Sequence, residues 1–161
     1  MTDLITTSNN IAMPNTSTLD TPIVMLMTHA PSHPLTKRAL ECAQSLCEND
    51  SKTTVEQNSL TTTDFKIFLY SDAVMLANRL IWLPEDIENM AKNWQHFAMS
   101  HDITIQVCVS AALARGVTDA DNATRHQLQG DNLADGFELV GLGELAMHLH
   151  KLGEVHGNLS A

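Results

Sequence analysis

Four short apolar runs, each followed by a stretch with helical spacing, restrict what this chain can become. They are "PIVMLMTHA" (22–30), "FKIFLY" (65–70), "ITIQVCV" (103–109) and "DGFELVG" (135–141). Each is too short for a membrane span and suits a buried strand of a parallel sheet. The segments after them read differently. In "SHPLTKRALECAQSLCEND" (32–50), Leu35, Ala39, Cys42, Ala43 and Leu46 fall on one helical face. In "PEDIENMAKNWQHFAMSHD" (84–102), Pro84 opens a helix, Glu85, Asp86 and Glu88 fill its first turn, and Ile87, Met90, Trp94, Phe97 and Ala98 form its stripe. "SDAVMLANRL" reads as a short helix or turn, "SAALARG" as a short helix with Ser110 as N-cap and Gly116 at C′, and "LGELAMHLHKLG" as a last helix. Strands alternating with helices argue an α/β domain with a parallel sheet and right-handed crossovers.

The chain of 161 residues suggests one such domain, over residues 21–161. Residues 1–20 are rich in Thr, Ser and Asn without a period and read as a disordered tail. "DSKTTVEQNSLTTTD" (50–64) reads as a polar surface loop. With seven aromatic residues among four Phe, two Trp and one Tyr, the core must be largely aliphatic.

Nine Lys and Arg against nineteen Asp and Glu give a net charge of −10. A nucleic-acid binder needs a basic footprint, and Lys37-Arg38 is the only adjacent basic pair, so direct RNA or DNA binding is disfavoured. The first twenty residues hold no Lys or Arg and no apolar core of a signal peptide. Three cysteines are an odd count and no disulfide framework. The expectation is a cytoplasmic protein with reduced thiols.

Cys108 is the residue on which chemistry could rest. Alternation in "ITIQVCVS" puts Ile103, Ile105, Val107 and Val109 on one side and Thr104, Gln106, Cys108 and Ser110 on the other. The cysteine also ends a strand, where open α/β sheets place ligands, and a helix follows whose free N–H groups favour an anion. Against this stands the ordinary fate of a free cysteine as a small buried hydrophobe. Cys42 reads as core and Cys47 as partly exposed. Their spacing of five is not that of metal ligands. His148 and His150 are two apart, on opposite helix faces, and His156 follows; they form no metal site. "GLG" at 141–143 is too short for a dinucleotide fingerprint, and Gly141 would relieve a tight strand-to-helix turn.

"FLYSDAVMLAN" (68–78), the Trp94 helix, "ITIQVCVSAALARGV" (103–117) and "NLADGFELVGLGELA" (132–146) together resemble the DsrE/TusD family of sulfur-relay subunits, from about Ile23 to Ala146. The resemblance implies a DsrE-like three-layer α/β domain, with a mainly parallel sheet flanked by helices. It implies that Cys108 is the sulfur-carrying catalytic cysteine of a sulfurtransferase. It also implies a heterohexamer with TusB-like and TusC-like subunits, a TusA-like sulfur donor and a TusE-like acceptor, with the sulfur ending in 2-thiouridine at the tRNA wobble position. The tail before Thr21 and the length of the 49–64 loop depart from the family pattern, and "HKLGEVHGNLSA" is a poor match to its closing strand. Sulfur transfer by thiol exchange needs neither metal nor organic cofactor. Two other readings remain open: a non-catalytic assembly subunit in which Cys108 is packing, and a DsrE-type carrier in dissimilatory sulfur oxidation.

Overall fold

The computed structural model describes residues 23–52 and 65–157. Strands β1 (Ile23–Met27), β2 (Phe65–Leu69), β3 (Ile105–Cys108) and β4 (Phe137–Val140) form one parallel sheet in the order β1-β2-β3-β4. Helix α1 (Pro34–Lys52) links β1 to β2. A 3-10 helix (Ser71–Ala77) and α2 (Met90–Ser100) link β2 to β3, and α3 (Val109–Leu113) and α4 (Ala120–Arg125) link β3 to β4. Helix α5 (Leu142–Gly157) follows β4. The expected tail and most of the expected polar loop lie outside the described residues.

The two faces of the sheet differ. Met27, Ile67, Leu69, Ile105, Val107 and Phe137 look into one apolar core. Leu40, Ala43 and Cys47 of α1 and Met90, Trp94, Phe97 and Ala98 of α2 complete it. Trp94 is fully buried, sends its Nε1–H to the Thr36 carbonyl at 3.4 Å and meets Phe97 edge-on. The other face carries Leu26, Lys66, Phe68, Gln106, Cys108 and Glu138. Helix α5 reaches it through His148, whose Nε2 lies 3.1 Å from Gln106 Oε1. These are the three layers expected, but the second face is only partly covered: Leu26 is 50% exposed and Glu138 is exposed.

Several expectations need correction. Helix α2 starts at Met90 rather than Pro84, because Asn89 caps it by accepting the Lys92 N–H at 3.2 Å. Pro84 to Ile87 forms a turn instead, with the Ile87 N–H on the Pro84 carbonyl, so Ile87 and the acidic residues stand outside the helix and exposed. Helix α1 is turned by about one residue. Its buried stripe is Thr36, Leu40, Ala43 and Cys47, while Leu35 and Cys42 are exposed. Cys42 and Cys47 thus exchange their expected places. Thr36, though polar, is buried with its hydroxyl donating to the Ala30 carbonyl at 2.8 Å. Cys108, not Ser110, is the N-cap of α3. Helix α4 was not foreseen; its signal is Asp119, which caps it by accepting the Asn122 N–H at 2.8 Å. Gly141 is not in the left-handed region, so no backbone demand for glycine exists there.

Gly116 behaves as expected. At φ +73° it accepts the left-handed turn that ends α3, with its N–H on the Leu113 carbonyl and the Val117 N–H on that of Ala112. Gly136 carries a stronger requirement. It has φ +83°, and a Cβ there would lie 2.9 Å from Ala98 Cβ on α2. Its carbonyl also accepts the Ile105 N–H at 2.9 Å, which seats β4 beside β3. Gly136→Ala should therefore destabilise by about 2–4 kcal/mol, combining backbone strain with overpacking. Thermal unfolding checks this; an unchanged melting temperature would contradict the close approach of β4 to α2.

Candidate functional site at the carboxyl edge of the sheet

Strand β3 has no loop after it. Cys108 pairs with Val140 as its last strand residue and at once caps α3, with φ −59° and ψ 113°. The neighbouring β2 turns as abruptly. The Tyr70 N–H donates to the Met27 carbonyl at 2.8 Å, and Ser71 then takes φ +55° to enter the 3-10 helix. A serine held in the left-handed region is uncommon, and such residues persist where surrounding structure imposes them. Two adjacent strands thus lead directly into short helices at one edge of the sheet.

The gap between them is a pocket of about 260 Å³. Tyr70 and Ser71 line one side, Ser110 and Ala111 of α3 another, and Leu142 at the start of α5 closes a third. Cys108 lies on its floor, 1% exposed. Though buried, Cys108 does not belong to the main apolar core, which lies on the opposite face of the sheet.

Arg115 completes the lining. Its Nε donates to Asp72 Oδ1 at 2.9 Å, its Nη2 lies 2.8 Å from the same oxygen, and its Nη1 donates to the Ala111 carbonyl at 3.3 Å. This ties the end of α3 to the 3-10 helix. Both side chains of the pair are partly solvated, so it contributes little to stability.

Of the residues singled out from the sequence, Cys108 and Ser110 come together here; Arg115 joins them as the first basic residue after the cysteine. Tyr70, Ser71, Asp72 and Leu142 were missed. The available signal was topological: parallel neighbours end on the same edge, so the residues after β2 and β4 meet those after β3. Cys42 and Cys47 lie on α1, outside this lining. His148 serves packing through Gln106, with Glu144 Oε1 3.8 Å away. No cluster of three or more metal-ligating side chains occurs among the described residues, and the His156 side chain lies outside them. A larger groove, of about 470 Å³, lies elsewhere, between His33 and Lys37 of the α1 region and Leu83 and Ile87. There the Glu88 carboxylate accepts from Lys37 and raises that ammonium above its ordinary value.

The DsrE/DsrF-like family matches residues 22–155, and the chain belongs to it. Within that family it is similar to curated proteins named sulfurtransferase TusD. It is 44% identical over 90 residues to the TusD homolog of Aliivibrio fischeri, covering 56% of this chain and 69% of that one. It is 45% identical over 80 residues to TusD of Pectobacterium carotovorum, covering 50% and 62%. The crystal structure of the ychN protein from E. coli shares the fold, with a TM-score of 0.59 and 23% identity over 81% of this chain and 92% of that one.

The burial pattern orders the thiols. A bulky maleimide should label native Cys42 before Cys47 or Cys108, since only Cys42 is exposed, and unfolding should bring the three together. Peptide mapping by mass spectrometry checks the order. Labelling of Cys47 first would overturn the orientation given to α1.

Proposed function

We propose that this chain is the sulfurtransferase subunit of a sulfur relay, carrying sulfane sulfur as a persulfide on Cys108. A TusA-like protein supplies the sulfur and a TusE-like protein accepts it, for 2-thiolation of the tRNA wobble uridine in the cytoplasm. The chain works in a heterohexamer with TusB-like and TusC-like subunits. Kinship with proteins named TusD supports the class of reaction. The observation that carries the assignment to Cys108 is its position at the floor of a pocket, apart from the apolar core.

The steps balance without a cofactor. The Cys108 thiolate attacks the outer sulfur of a donor persulfide R–S–SH. A new S–S bond forms on Cys108, the donor's S–S bond breaks, and the donor leaves as R–S⁻. An acceptor thiolate then attacks the outer sulfur of Cys108–S–SH and restores the Cys108 thiolate. No net oxidation occurs. The added sulfur lengthens the side chain by about 2 Å, an S–S bond, which moves the transferable atom from the floor into the pocket. A net charge of −10 suits a protein that passes sulfur to other proteins and holds no tRNA itself. Among the described residues no helix is long and apolar enough to cross a membrane.

One observation favours a second reading. At 1% exposure Cys108 is as buried as any packing residue, and a non-catalytic assembly subunit would need no more. Replacing Cys108 by Ser separates the two. The swap puts a hydroxyl in a buried place and should cost about 1–3 kcal/mol under either reading, so transfer must be measured per folded molecule. A carrier loses it entirely, and the protein no longer gains the mass of one sulfur atom when exposed to a persulfide donor. Cys42→Ser and Cys47→Ser should retain both. Normal wobble thiolation in a strain whose only copy carries Cys108→Ser would sink the proposal.

Assembly has its own test. Co-expression with TusB-like and TusC-like chains should give one complex on size exclusion. Separate elution of all three at micromolar concentration would remove the partners assigned.

A further inference from the structure

A chain with net charge −10 presents a repulsive field to any anion that approaches it. Yet the group that a partner brings to unload Cys108 is an anion, the acceptor thiolate that attacks the outer sulfur of the persulfide. The Cys108 pocket holds one feature that answers this. Of the described residues lining it, Tyr70, Ser71, Cys108, Ser110, Ala111 and Leu142 bear no fixed charge, and Arg115 is the cation among them.

The guanidinium is also fixed in place. Asp72 takes Nε and Nη2, and the Ala111 carbonyl takes Nη1. Of its five N–H donors, two are left by these contacts. Asp72 does not line the pocket, and its side chain is 60% exposed against 32% for Arg115. The guanidinium, not its more solvated carboxylate partner, thus forms part of the pocket wall.

We propose that Arg115 is a specificity-determining residue of this pocket: its guanidinium, oriented by Asp72, admits an anionic sulfur group of a partner protein to the buried Cys108. The proposal deepens the carrier reading and rests on it. A structural clasp between α3 and the 3-10 helix would require the same ion pair but would confer no preference for the charge of what enters.

Two alkylating agents of nearly equal shape, anionic iodoacetate and neutral iodoacetamide, test this on the full native chain. The rate of each at Cys108 is read by peptide mass spectrometry, and their ratio measures charge preference. Arg115→Gln should lower the iodoacetate-to-iodoacetamide ratio by about three- to tenfold, the effect of one partly screened charge at short range. Arg115→Lys should keep most of it. Asp72→Asn should raise the ratio, because it frees the cation. Cys42 on the same molecules should show none of these changes. Opposite shifts in Arg115→Gln and Asp72→Asn cannot come from loosening, since both variants break the same pair. Should Arg115→Gln fail to fold, the sign of the Asp72→Asn shift decides. An unchanged ratio in Arg115→Gln, a lowered ratio in Asp72→Asn, or a wild-type Cys108 that reacts with neither reagent would overturn the proposal. Loss of the carrier reading shows separately, as sulfur transfer that survives Cys108→Ser.

Discussion

Everything at the site depends on β3 being paired on both sides by parallel strands. Phe68 and Leu69 of β2 sit opposite Gln106 and Val107, and Ile105 to Cys108 run in register with Phe137 to Val140 of β4. Parallel pairing sends all three chains out of the sheet at one edge. Each then turns at once, β2 into the 3-10 helix, β3 into α3 and β4 through Gly141 into α5. The pocket is what remains between three helices that start within a residue or two of their strands. It is built by backbone geometry first and lined by side chains second. Shifting β3 by one residue would send Cys108 into the apolar core and Val107 to the pocket.

Both faces of a parallel sheet are normally covered, and here they are covered unequally. The strand order β1-β2-β3-β4 has no reversal, so this edge is not a switch point where crossovers part to leave a crevice. The core face gains the deep apolar layer built around Trp94 and Phe97. Among the described residues, the other face is met by α5, held through His148 and Gln106. A thiol on the core face would be surrounded by aliphatic side chains with nowhere for a second sulfur to go. On the thinner side it adjoins open volume. The same asymmetry lets one residue be almost wholly buried and still border space that a persulfide can occupy.

The strands and the alternation within β3 were legible because a period of two leaves little freedom: Ile105 and Val107 are fully buried, Thr104 is exposed and Gln106 half-buried, whereas Cys108 is buried beneath the pocket and Val109 and Ser110 already belong to α3. Gly116 was legible for a similar reason, since a glycine after a short helix has few other uses. Helix faces were read less well. Of the expected α1 stripe of Leu35, Ala39, Cys42, Ala43 and Leu46, Ala43 is fully buried and Ala39 and Leu46 pack against the core, but Leu35 and Cys42 are exposed and Thr36, with its hydroxyl satisfied by Ala30, is buried instead. Apolar patterning does not register a polar side chain whose hydroxyl is satisfied by a carbonyl just before the helix begins. Helix starts erred likewise: Pro84 fits the first position of a helix, but the Asn89 cap supplies a hydrogen bond and fixes the later start. The site was half legible. Cys108 and Ser110 belong to one segment, whereas Tyr70, Ser71, Asp72 and Leu142 reach it from strands paired across long stretches of sequence, which no local signal encodes.

For Cys108 as the proposed sulfur carrier, burial and reactivity pull against each other, and the pocket would let both be met. A fully exposed persulfide would meet any thiol in solution and lose its sulfur to the wrong acceptor. A thiol sealed in the core could not be loaded at all. Placing it on the floor of a pocket of about 260 Å³ makes access depend on shape. A partner's cysteine must project far enough to enter between Tyr70 and α3. With the Arg115 guanidinium on the wall of that pocket, access would depend on charge as well. Within a chain of net charge −10, a local positive site draws an anion to one place and leaves the rest of the surface repulsive. Selectivity in a sulfur relay can then come from where the thiol sits, with no need for a sulfur chemistry different from that of any other cysteine.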